Sequence, residues 1–70
     1  MAHTGRIKKI VYDRGFGFIS ARDGREIFFH QNSLIGIKLT DLRNELEVEF
    51  DVEKSWKGPS ALNVRIVQQV

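Results

Sequence analysis

The chain has 70 residues, a net charge of +2, 41% hydrophobic residues and no cysteine. That length supports one small domain near the lower limit for folding without covalent staples, and the missing thiols exclude disulfides and thiolate metal sites. The opening Met1-Ala2-His3-Thr4 has no apolar run of a secretory signal, and no stretch has the length of a membrane span, so a single domain over residues 1–70, in the cytoplasm, is expected.

Arg6 to Val11 reads as the first strand, with Ile7 inward. Ile7 and Ile10 lie three apart, so strict alternation fails near Lys9 and a bulge is expected there. Tyr12-Asp13 leads into a second strand, Arg14-Gly15-Phe16-Gly17-Phe18-Ile19. Phe16 and Phe18 are two residues apart and share one strand face. Gly17 fills no space, so the economical arrangement puts Ile19 inward and presents Phe16 and Phe18 outward, on the side of Arg14. Ala21 to Arg25 contains the Asp23-Gly24 pair of a tight hairpin turn. The third strand, Glu26 to His30, then buries Ile27 and Phe29 and turns Phe28 and His30 outward. Antiparallel pairing of these strands gathers Phe16, Phe18, Phe28 and His30 into one patch.

Gln31 to Leu34 carries the chemistry of a short helical turn. Leu39, Leu42 and Leu46 sit at helical spacing after Gly36, and the segment 35–46 reads as a long ordered loop with room for one helical turn. Glu47 to Glu53 alternates at every position, one face apolar and the other uniformly acidic; the acidic face is expected to point away from any polyanion. Lys54 to Ser60 reads as a loop punctuated by Gly58-Pro59, and Ala61 to Val67 as a fifth strand burying Leu62, Val64 and Ile66. Five short strands without a long helix predict a small closed antiparallel barrel, which leaves no exposed strand edge.

Charge is distributed in blocks. Residues 1–38 hold seven bases and three acids, residues 39–53 one base and six acids, and residues 54–70 three bases and no acid. Such a sided field steers a polyanion to one surface and repels it from another.

In these landmarks the chain resembles the bacterial cold-shock proteins. The likeness spans nearly the whole length: Gly5 and Lys8, Asp13 to Ile19, Asp23-Gly24, Ile27 to His30, and Lys57-Gly58-Pro59 followed by Ala61 and Asn63-Val64. It implies an all-β, five-stranded Greek-key barrel of the oligonucleotide-binding type (OB-fold), a cold-shock domain. It also implies binding of single-stranded RNA or DNA with low sequence selectivity, as an RNA chaperone or antiterminator. The first ribonucleoprotein motif, Arg14 to Ala21, is shared with the RNA recognition motif family, but that family wants an aromatic at the eighth position, where Ala21 stands, and its two amphipathic helices are missing, so that reading is set aside. Against the cold-shock pattern, this chain has Lys9 for a strand 1 tryptophan, Ile10 for a phenylalanine, Gln31 for the aromatic after the strand 3 histidine, and Leu39 for a loop aromatic.

The residues expected to contact nucleic acid are therefore Lys8, Lys9, Tyr12, Arg14, Phe16, Phe18, Phe28, His30, Gln31, Trp56 and Lys57. The rings offer stacking surfaces to unstacked bases; the cations offer phosphate contacts; Gln31 offers hydrogen bonds to a base edge. Trp56 has two readings, a cover folded back over the barrel end or a stacking platform in place of the missing strand 1 ring. No nucleophile–base pair or metal-ligand cluster is visible, so no catalytic or metal site and no cofactor is expected. A monomer is expected. A protein-interaction module on the same barrel is the alternative, suggested by the absent strand 1 tryptophan.

Overall fold

The computed structural model describes residues 3–56 and 58–67. Five strands, β1 (His3–Val11), β2 (Phe16–Ala21), β3 (Glu26–His30), β4 (Glu47–Ser55) and β5 (Gly58–Ile66), are joined by short turns and by one long connection holding two 3₁₀ turns, Gln31–Ser33 and Leu39–Asp41. They close in the order β1-β2-β3-β5-β4, with β4 returning to β1. Every ladder is antiparallel except the closing one, where β3 meets β5 in parallel at Phe28 and Ser60. Closure satisfies the main-chain groups that an open sheet edge would expose.

Alternation decides what each strand buries. Ile7, Ile19, Ile27, Phe29, Val48, Phe50 and Val64 are wholly buried, and Leu39 and Leu42 of the long connection join them. The expected bulge in β1 is present: Ile7 opposes Ile19 but Lys9 opposes Phe18, so Lys8 is the extra residue. That insertion lets Ile7 face the core while Lys9 lies outside beside Phe18.

Gly17 is buried for a reason that composition alone hides. It pairs with Phe29 across the ladder, and a Cβ there would lie 2.7 Å from the Phe29 ring and 2.6 Å from the Lys9 carbonyl oxygen. The missing side chain of β2 is the space that Phe29 of β3 fills.

The fifth strand departs from its expected pattern at both ends. Residues 54–55 and 58–60 are not loop but paired hairpin, with Lys54 opposite Pro59 and Ser55 opposite Gly58. The inward residues are Ala61 and Val64; Leu62 and Ile66 are only partly buried. Asn63 adopts left-handed backbone (φ 53°), a conformation its short amide tolerates. Its amide donates to Asp51 at 3.0 Å. The register slips between Glu49 and Asp51, which converts a two-residue period into a three-residue step.

The acidic row of β4 is not uniformly solvated either. Glu49 accepts from Arg65 and Glu47 lies 3.8 Å from Arg22, so β5 and the β2–β3 hairpin neutralise much of it. Glu53, exposed, faces Ser60, which in turn neighbours Phe28. One end of the acidic row thus comes within two strands of the aromatic patch rather than pointing away from it.

Candidate nucleic-acid interface

The outward residues of β2 and β3 form a continuous aromatic surface. Phe18 pairs with Phe28 and Phe16 with His30 across the ladder. The Phe16 and Phe28 rings tilt together with centroids 5.6 Å apart, and Phe18 stands edge-on to both, 6.0 Å from each. Edge-to-face packing of this kind contributes about 0.5–1.5 kcal/mol per pair beyond burial. It also holds the rings in fixed orientations, which lowers the ordering cost of stacking a base upon them. Phe28 is 37% exposed and Phe16 and Phe18 are half-buried, so ring surface remains available.

His30 ends β3 and caps the following turn: its Nδ1 accepts the Asn32 backbone N–H at 3.2 Å. With Nδ1 accepting, the ring proton lies on Nε2, which is left to donate. Gln31 follows. Its backbone N–H donates to the Gly15 carbonyl at 2.8 Å, and its side-chain amide lies against Gly15, where a Cβ would stand 2.7 Å from Nε2. Gly15 has φ 76° and closes the turn from β1 into β2, so both conformation and contact require glycine there. The glycine-rich run thereby fixes Gln31 at the edge of the patch.

The cations divide into two sets. Lys9 and Arg14 are exposed and have no carboxylate partner among the described residues. Lys9 lies directly across from Phe18. Lys8 instead holds Glu26 at 2.9 Å, and Glu26 lies two rungs nearer the β2–β3 turn than the Phe18–Phe28 rung. That pair is half-exposed, and such pairs contribute about 0–1 kcal/mol, so exchanging Glu26 for a phosphate costs little. Tyr12, 52% exposed, donates its hydroxyl to the Leu42 carbonyl at 2.8 Å and so bridges the end of β1 to the long connection. Trp56 is 89% exposed at the tip of the β4–β5 hairpin, which excludes its folding back as a cover. Lys57 lies outside the described residues.

Two depressions flank the patch. One, of about 390 Å³, is bounded by Tyr12, Gln31, Asn32, Lys38, Leu39 and Thr40. The other, of about 500 Å³, runs from Phe18 and Phe28 over Ser60 and Pro59 to Ser55 and Gly58. Lys38, Pro59 and Ser60 were not legible as neighbours of the patch. Lys38 arrives because Leu39 and Leu42 anchor the long connection on the core. Ser60 arrives through the β3–β5 closure, and neither signal exists in local sequence. Leu39, standing where cold-shock proteins often carry an aromatic, is buried and offers no stacking surface.

A closed five-stranded barrel in this strand order, with rings set on the outer face of its second and third strands, is an OB-like barrel of the nucleic-acid-binding class. The model of the "Cold-shock" DNA-binding domain matches residues 3–67, and the chain belongs to that family. The cold shock-like protein CspJ of Salmonella typhimurium is 42% identical over 62 residues, covering 87% of this chain and 89% of the relative. The cold shock-like protein CspE of Bacillus anthracis is 38% identical over 64 residues, covering 91% and 96%. Among solved structures, Drosophila Unr CSD456 superposes with a TM-score of 0.78 at 21% identity, over 97% of this chain and 27% of that one. That likeness is one of fold.

Proposed function

We propose that the protein binds single-stranded RNA or DNA with little sequence selectivity and acts as an RNA chaperone that holds strands open. The observation that carries this is the fixed triad of Phe16, Phe18 and Phe28 on the outer face of β2 and β3, with Lys9 beside it. Every base has a π-face, so stacking is tolerant of sequence, at about 1–3 kcal/mol per base. Phosphates are held by Lys9, Arg14 and, on release of Glu26, Lys8. The mechanism is mass action: a protein that binds the open strand and not the duplex favours the open strand in proportion to its concentration over its dissociation constant.

The test is a titration of matched single-stranded and duplex oligonucleotides at low and high salt. Clear preference for the single strand, weakening as salt rises, is expected. Equal or tighter binding of duplex, or no binding of either, overturns the reading. An RNA hairpin with a reporter at its ends then checks chaperoning: opening at concentrations where binding saturates is expected.

A further inference from the structure

We propose that Trp56 is an additional base-stacking site, which extends the phenylalanine platform across the β3–β5 seam to the tip of the β4–β5 hairpin. This rests on the nucleic-acid reading above and names where a longer strand goes. A bulky ring 89% exposed on a hairpin tip contributes nothing to the core. In the chain it directly follows Ser55, one of the residues lining the far end of a groove. The depression that begins at Phe18 and Phe28 passes Ser60 and Pro59 and ends at Ser55 and Gly58, the last paired rung below the tip. From Ser60 to the tip is about three residues, roughly 10 Å at the rise of a strand.

The hairpin is braced up to that point. Ser55 pairs with Gly58 in the ladder, and its hydroxyl donates to the Gly58 carbonyl at 2.9 Å. Lys54, exposed and opposite Pro59, has no carboxylate partner among the described residues, and no acid follows it in the sequence. On the opposite side of Phe18, the neighbour in β1 is the cation Lys9 rather than a ring. Surface therefore continues from Phe28 over Ser60 and Pro59 towards the hairpin that carries Trp56, with Glu53 opposite Ser60 and Lys54 opposite Pro59.

Trp56 is the sole tryptophan, so its fluorescence reports on this site alone. Oligothymidines of about 3 to about 8 nucleotides, within the footprint of such a barrel, are titrated while fluorescence and heat are recorded. Expected are quenching by the longer strands, with the calorimetric midpoint, and little quenching by the shortest. Trp56→Ala should weaken binding of the longer strands between about 5-fold and about 150-fold, spare the shortest and leave Tm unchanged. Trp56→Phe should keep most of the affinity. Constant fluorescence through saturation, an equal loss at every length, or a lowered Tm with affinity spared overturns the proposal. Phe28→Ala separates the two readings: if it weakens binding at every length while Trp56 stays silent, the platform stands and only the extension fails. Absence of binding at any length removes both.

Discussion

Phe28 and Phe29 are successive residues of β3 with opposite roles. Phe29 is wholly buried against Gly17; Phe28 is 37% exposed on the platform with Phe16 and Phe18. The two faces of the β2–β3 hairpin thus spend the same residue type differently. The inner face stabilises the barrel by removing rings from water. The outer face keeps rings in water and orders them against one another, and in the proposed function that exposed surface takes the bases. What separates the faces is the two-residue period of a strand, with Gly17 giving the inner ring its room.

The largest expected effect comes from erasing the inner member. Phe29→Ala should destabilise the barrel by about 3–5 kcal/mol, read by denaturant or thermal unfolding, while any folded fraction binds oligonucleotide as before. Phe28→Ala should reverse the pattern, weakening single-strand binding by about 1–3 kcal/mol with a much smaller change in Tm. Should Phe28→Ala unfold the protein and spare its affinity, the assignment of faces is inverted.

Lys9→Gln sharpens the outer face further, separating charge from stacking. Each phosphate contact on a single strand contributes about −0.7 to the slope of log K against log salt, so the slope should become shallower by that amount. An unchanged slope would remove Lys9 from the phosphate path.

The smallest effect belongs to the turn joining the two strands. Asp23 accepts the Arg25 backbone N–H at 3.0 Å and the Arg25 guanidinium at 2.7 Å. That backbone hydrogen bond, reinforced by the guanidinium, holds its carboxyl below the usual aspartate value. A depressed folded value means the contribution to stability is fully present above the ordinary aspartate pKa of about 3.9. It is lost as pH falls through the depressed value. Asp23→Asn should therefore lower Tm slightly at neutral pH, and the difference from the parent should vanish in acid. A gap that persists below that range would place the effect in the turn's backbone geometry rather than in the carboxylate.

In β3 and the first half of β4 the alternation read from the sequence holds: Ile27 and Phe29 are inward, Phe28 outward, Val48 and Phe50 inward. The break between Ile7 and Ile10 announced a bulge, and the structure places it at Lys8. Asn63 announced nothing. A left-handed asparagine in a strand has no signature in hydrophobic pattern, and it moved the buried set of β5 from Leu62 and Ile66 to Ala61. The pairing of residues 54–55 with 58–60 was hidden for a related reason, since Gly58-Pro59 reads as loop although Pro59 is paired opposite Lys54.

The sequence by itself determined the barrel, the identity of the outward rings and the turn between them, because these follow from a two-residue period and local turn chemistry acting over a few residues. Only the tertiary structure decided what borders the platform. Closure of β3 on β5 brings Ser60, Pro59 and the Trp56 hairpin to one side of it, and brings Glu53 within two strands. The anchoring of Leu39 and Leu42 brings Lys38 to the other. Those neighbours are set by which strands meet when the sheet curls shut, a condition on the whole chain that no local stretch encodes.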